Sequence, residues 1–224
     1  MSERFQVVSD PRPEDVVWPE MVWPVPENTV LTGKFVELTA TDPERDADEL
    51  FRALDHARVW AHVPGRPGDA GEFAETLRQR AALADWQVWT VRTRQEIGGN
   101  PPGAIVGVSA YLDARPRDAA MEIGFTVYTP SAWGGTVNPE TKLLLLEYAF
   151  ESLNVGRVQL KTDVRNHRSQ QAIARLGAKY EGALRRQFRR ADGTVRDSVL
   201  FSITAEDWPV VREGLTNRLG QSAK

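Results

Sequence analysis

Apolar residues recur at every second position in several stretches of the chain and at every third or fourth position in the stretches between them. A period of two places alternate side chains on one face of a strand, and a period of 3.6 places them on one face of a helix. On that basis strands are predicted over residues 34–39 (KFVELT), 86–94, 104–113, 121–128 (MEIGFTVY), 157–162 (RVQLKT), 179–188 and 195–204. Helices are predicted between them. Ala47, Leu50, Phe51 and Leu54 follow Asp42-Pro43-Glu44, where Asp caps and Pro fits the first helical turn. Phe73, Leu77 and Ala81 predict a helix over 71–84. Leu143, Leu146, Ala149, Phe150 and Leu153 predict one over 142–153, ended by Gly156. Ala172, Ile173 and Leu176 predict another that Asn166 caps and Gly177 ends, and residues 205–219 predict a last one.

The connections carry turn chemistry. Residues 96–103 (EIGGNPPG) and Asp192-Gly193 have hairpin signals, and residues 56–69, with Pro64, Gly65, Pro67 and Gly68, read as loop. The first 31 residues are rich in Pro and Trp (Pro11, Pro13, Trp18, Pro19, Trp23, Pro24, Pro26), which excludes a regular helix. Val17, Trp18 and Trp23 predict that this arm packs on its own domain, with packing on a second subunit or over a pocket as the alternative. The order is one strand, two helices, three strands, then helix, strand, helix and two strands. That is an α/β chain with a mixed central sheet of about seven strands and helices on both faces. The expected division is an arm over 1–31 and one domain over 32–219.

Composition narrows the function. The 224 residues are 41% hydrophobic, and a net charge of −3 argues against a general nucleic-acid binder. Without cysteine there is no disulfide, no thiolate metal site and no thiol nucleophile. His56, His62 and His167 lack metal-ligand spacing, so no metal is expected. The charged start has no signal-peptide core and no apolar run is long enough to span a membrane, so the expected location is the cytoplasm.

Chemistry concentrates around residues 121–140. A strand runs into a loop holding Pro130, Gly134 and Gly135, and then into Asn138-Pro139-Glu140, read as an N-cap, a first-turn Pro and a first-turn Glu. Strand, glycine loop and helix start form an anion site for a phosphate-bearing molecule, since the first amides of a helix lack partners and carry the positive end of its dipole.

These stretches, with VRNHRSQQAIARLGAKYEGALR and RRADGTVRDSVLFSITAEDW, resemble the GCN5-related N-acetyltransferase (GNAT) family, and within it the RimJ/RimL-like branch of ribosomal-protein N-acetyltransferases. The resemblance covers residues 32–208. It implies the GNAT fold and acetyl-CoA as co-substrate. The pantetheine arm would pair with backbone at Ile123, Gly124, Phe125 and Thr126, between the strands at 121–128 and 157–162. The pyrophosphate would lie on Trp133, Gly134, Gly135, Thr136, Val137 and Asn138. The loop has no Arg, and Lys142 would supply its cation. Asn166 and Ser169 match the family's Asn and its small or hydroxyl residue. The position that often holds a Tyr general acid is Ile173, which leaves Ser169 to hydrogen-bond the departing CoA thiolate.

Without a cysteine there is no thioester-enzyme intermediate, and direct attack by a primary amine in a ternary complex is the simplest scheme. Backbone N–H groups near Ile123 to Phe125 would hold the oxyanion, and Glu122, opposite Ile123 on its strand, would be the base. Asp197 is a weaker candidate base, and Arg185, Arg186 and Arg189 could select an acidic acceptor. The acceptor would be a protein N-terminus or a small-molecule amine, and a homodimer through the arm is a candidate assembly. Two alternatives stand beside this reading: a non-catalytic acyl-CoA-binding module on the same fold, and an acyltransferase using another donor such as succinyl-CoA.

Overall fold

The computed structural model describes residues 6–10, 17–190 and 192–221; Pro11 and Pro13 of the arm lie outside them. The strands are β1 (Val30–Thr32), β2 (Val36–Ala40), β3 (Gln87–Thr93), β4 (Ile105–Arg115), β5 (Ala120–Tyr128), β6 (Arg157–Asp163), β7 (Lys179–Arg189) and β8 (Val195–Thr204). The helices are α1 (Pro43–Leu54), α2 (Ala57–Trp60), α3 (Ala70–Ala81), α4 (Val137–Glu147), α5 (His167–Ala174) and α6 (Trp208–Gln221). One mixed sheet of 8 strands runs in the order β1-β2-β3-β4-β5-β6-β8-β7. Every expected strand is present. The additional one, β1, straddles the end of the arm and is too short to show a period.

Two apolar layers hold the helices to the sheet. On one face Leu50, Leu54, Trp60, Phe73 and Leu77 of α1, α2 and α3 pack on Val88, Val108 and Val127. On the other, Leu145 and Leu146 of α4 and Leu215 of α6 pack with Trp89, Tyr111, Met121 and Ile123. Burial of each such side chain contributes about 1.5–3 kcal/mol before the entropy of ordering is counted.

The segment read as loop contains α2. His56 caps it, with Nδ1 accepting the Arg58 N–H at 3.2 Å, and Trp60 is buried with Nε1 donating to the Leu54 carbonyl at 2.9 Å. One turn is too short for helical periodicity to register. The arm packs on its own domain: Met21 and Val25 are buried, and Trp23 and Trp18 donate to the carbonyls of Ala84 and Asn154. Val17, expected to be covered, is 94% exposed.

Helix α4 begins earlier than expected. Its N-cap is Thr136, without a side-chain capping bond, so Asn138 and Pro139 lie inside the first turn. Glu140 is a first-turn residue, as expected, and its side chain has a structural task. Its carboxylate is 4% exposed and accepts three backbone N–H bonds, from Lys34 at 2.8 Å, Phe35 at 2.6 Å and Val36 at 2.7 Å. A Cβ at Gly33 would lie 2.5 Å from Glu140 Cδ, so the β1–β2 turn accepts the carboxylate only because that residue is glycine. Glu140 therefore ties the start of α4 to the β1–β2 turn and faces away from the glycine loop. Glu140→Ala would leave buried donors without an acceptor, each costing about 1–3 kcal/mol. We expect a loss of about 3 kcal/mol in urea unfolding, partly restored in Glu140→Gln. An unchanged midpoint in Glu140→Ala would disprove the tie.

Candidate active site

Strands β5 and β6 are paired, in parallel, only at Ala120↔Arg157, Met121↔Val158 and Glu122↔Gln159. Beyond Glu122, β5 stays with β4 while β6 continues with β8. A gap opens inside the sheet, and its walls carry backbone groups with no strand partner, which in a folded protein call for water or a ligand. Glu122 stands at the apex. Its Oε2 accepts from Gln159 Nε2 at 3.0 Å and pairs with Lys161 Nζ at 2.7 Å, while Oε1 makes no hydrogen bond among the described residues.

Just past the apex β5 bulges. Phe125 and Thr126 together face Ser109, and Phe125 has φ of 45°. A non-glycine residue in that region is strained, and such strain persists only where surrounding structure imposes it. Part of the imposition is visible: β4 and β5 approach so closely that a Cβ at Gly107 would sit 2.2 Å from the Val127 carbonyl oxygen. The Phe125 ring is held edge-on to Trp86 at 6.2 Å, and the Arg80 guanidinium lies 4.7 Å over Trp86.

On the α4 side of the bulge is a polar cluster. Lys142 Nζ donates to Thr126 Oγ1 at 2.7 Å and Ser109 Oγ at 3.0 Å, and the two hydroxyls are 2.7 Å apart. The lysine is 5% exposed, no carboxylate meets it among the described residues, and burial holds its ammonium down to about 7. The expectation that Lys142 supplies a cation to the loop is therefore corrected: it lies one turn into α4, on the face that packs against the sheet. Val137 is likewise a core side chain, and only its backbone can serve the loop.

After β5 a 3-10 turn, Pro130–Ala132, leads to Gly134, at φ of 77°, and Gly135, both bordered by open space. The β3–β4 loop braces the turn: Asn100 Nδ2 donates to Ser131 Oγ at 2.9 Å, and a Cβ at Gly98 would sit 2.1 Å from the Ser131 carbonyl oxygen. The first amides of α4 follow, with no capping side chain over them. Trp133 is fixed by its Nε1 on the Tyr128 carbonyl at 2.9 Å. Arg168 lies 3.7 Å and Arg58 5.2 Å from the centre of its ring. Neither arginine has a carboxylate partner among the described residues, and burial together with the charge of Arg58 lowers the Arg168 pKa from its usual value. A partly buried guanidinium that a second one repels would be relieved by an anion.

Asn166 caps α5, its Oδ1 accepting the Ser169 N–H at 3.0 Å, and the Ser169 hydroxyl makes no hydrogen bond among the described residues. Asp197 accepts the Arg186 N–H at 2.7 Å at a second bulge, on exposed β7, so it serves the backbone there. Sequence reasoning missed Arg58, which lies inside the segment read as loop. It also passed over Arg168, although that residue directly precedes Ser169 in the quoted motif. The buried destination of Lys142 had a signal, because it precedes Leu143 and Leu146 by one and four positions in an apolar helix.

Comparison with known proteins accords with this geometry. The profile of the acetyltransferase (GNAT) domain matches residues 36–179. The chain belongs to the GNAT acetyltransferase family. It is 24% identical over 172 residues, 76% of this chain and 90% of the relative, to YdaF of Bacillus subtilis (strain 168), which carries the name of a ribosomal N-acetyltransferase. That agrees with the RimJ/RimL-like branch. A crystal structure of an acetyltransferase from T. thermophilus shares 31% identity and a TM-score of 0.76, covering 88% of this chain and 100% of that one. RimJ from Mycobacterium smegmatis, solved with CoA-disulfide, has the same fold, with 20% identity, a TM-score of 0.69 and coverage of 82% of this chain and 88% of that one.

The buried lysine makes stability depend on pH. Its folded-state pKa of about 7 lies below the ordinary 10.5, so between these values the unfolded chain holds a proton that the folded chain lacks. Stability then rises with pH, by up to ~1.4 kcal/mol per unit, and the full cost of burial is present below the folded pKa. Urea unfolding of the intact protein and of Lys142→Met, at steps from about pH 6.5 to about 9.5, should show the intact protein gaining on the variant. A constant difference would mean that Lys142 titrates as it does in water.

Proposed function

We propose that the chain transfers an acetyl group from acetyl-CoA to a primary amine, on a protein N-terminus or a small molecule, by direct attack in a ternary complex. The parting of β5 from β6 beside an uncapped helix start carries this reading, because it sets unpaired backbone donors next to an anion site. Pantetheine would pair with the free edge of β5 along residues 123–126. The pyrophosphate would rest on the amides of Gly134, Gly135, Thr136, Val137 and Asn138. Arg58 and Arg168, both close to the ring of Trp133, would provide the positive charge that the loop itself lacks.

The bulge amide of Phe125 would face the thioester oxygen and stabilise negative charge as it develops. Glu122 would take the proton of the attacking amine, directly or through water, on the oxygen that Lys161 and Gln159 leave open. Ser169 would meet the leaving thiolate at the start of α5. The N-terminus of a ribosomal protein is a natural acceptor to test, given the name carried by YdaF.

Thermal unfolding with acetyl-CoA and with free CoA tests the site. A ligand that binds only the folded state adds about 2.7 kcal/mol at a hundredfold excess over its dissociation constant. The intact protein should be stabilised by both. Arg168→Ala should need at least about tenfold more of either, since a charged hydrogen bond to phosphate contributes about 1.5–3 kcal/mol. Thiol release from acetyl-CoA with peptides bearing free N-termini then tests transfer. The reading fails if neither compound stabilises the protein, or if they bind and no amine is acetylated.

A further inference from the structure

The hydroxyl cluster under the bulge has a direction. Thr126 Oγ1 lies 3.2 Å from the Gly124 carbonyl oxygen and donates to it. Lys142 Nζ donates to that same Thr126 oxygen at 2.7 Å and to Ser109, which is itself within hydrogen-bond distance of Thr126. An ammonium has only donors. While Lys142 is charged, the Thr126 oxygen accepts from it, and with Ser109 as the donor in the hydroxyl pair the Thr126 proton is turned to the Gly124 carbonyl.

That carbonyl shares a peptide plane with the Phe125 N–H. In a trans peptide the two point in opposite directions, so an N–H whose carbonyl accepts from the α4 side is aimed away from that side. Hydrogen bonds in a chain polarise one another, more so where the dielectric is low. A donor on the Gly124 oxygen thus strengthens the Phe125 N–H as a donor. Phe125 has no register partner on β4 or β6.

We propose that Lys142 is a positioning residue for acyl transfer, acting through Thr126 and the Gly124 carbonyl to orient and strengthen the Phe125 amide as the donor to the thioester oxygen. The proposal rests on the acyltransferase reading for its use, although the coupling itself is a property of the protein alone. Deprotonation reverses the cluster. A neutral amine can accept from Thr126, the Thr126 proton turns to Nζ, and the Gly124 carbonyl loses its donor. Burial brings this titration to about pH 7. The charged groups on the elements packed around it are engaged elsewhere. Glu140 is held by the β1–β2 turn, Glu147 by Arg212 of α6, Glu122 by Lys161, and the Tyr111 hydroxyl by the Leu145 carbonyl. The Tyr128 hydroxyl is buried, and that burial raises its pKa far above neutrality.

The test follows the Phe125 backbone amide by nitrogen–proton correlation NMR in the ligand-free protein. Its signal should titrate with a midpoint of about 7 in the intact protein and stay fixed in Lys142→Met. A signal that does not move, or that moves equally in both proteins, overturns the proposal whatever the turnover. The second arm measures thiol release from acetyl-CoA with a pool of free-N-terminus peptides. Lys142→Met and Thr126→Val should each lower kcat about tenfold, less than loss of an oxyanion donor, and leave the KM for acetyl-CoA nearly unchanged; Thr126→Ser should retain the rate. If variants of the intact fold keep kcat, the proposal is wrong. If the intact protein itself acetylates no peptide, the acyltransferase reading is what fails, and the amide titration still decides the coupling.

Discussion

The structure depends on a pairing that stops. Two neighbouring strands of one sheet, β5 and β6, share a register for three residue pairs and then separate. Continued pairing would satisfy more of the backbone, so the parting must be imposed from elsewhere. The β4 strand draws β5 to one side through a bulge and the close approach at Gly107, and β8 draws β6 to the other. With both strands held by their outer partners, the open backbone between them is stable enough to persist and polar enough to bind. The loop and helix start beyond β5 are then carried to the mouth of the gap.

The distribution of charge follows from that layout. The acidic side chain at the start of α4 is turned inward, onto backbone amides, where its charge is neutralised by three short hydrogen bonds. The lysine two residues on is also turned inward. The proposed site would therefore draw its positive charge from arginines of two elements distant in sequence, α2 and α5, both close to a tryptophan of the loop. Arginine suits this position because its flat, weakly hydrated guanidinium can stack on an aromatic ring and still present donors to a phosphate.

Much of this was legible in the chain. Alternation located every long strand, and the Asp42 and Asn166 caps held in the structure, because both signals are local. The resemblance carried by residues 121–128 and by the Asn166–Ser169 spacing pointed to the gap and the loop. What escaped were facts set by tertiary packing. Asn138-Pro139 has the form of a helix start, yet the helix begins at Val137 because Val137 is wanted in the core and Glu140 must reach the β1–β2 turn. The arm was expected to pack on its own domain, and it does, but no local pattern signals that its last residues add a strand. Arg58 lay in a single turn with no period to read. The left-handed conformation at Phe125 has no sequence signal either, since it is forced by the opposing strand and not by the residue.

The tie at Glu140 has an evolutionary consequence. Its three contacts are with main-chain N–H groups, so the carboxylate recognises the course of the backbone and is indifferent to the side chains attached to it. The carboxylate then leaves Lys34 free to vary, while Phe35 and Val36 are constrained by their own burial in the core, as long as the turn keeps its length, avoids proline at those three positions and retains a residue without a side chain at 33. Packing would keep positions 35 and 36 apolar, and the path they trace holds the start of α4 beneath the glycine loop. Here an unchanging acidic residue would be coupled to a constant spacing, and the signature of the contact would be a gap-free stretch that tolerates exchange only at its exposed position, 34.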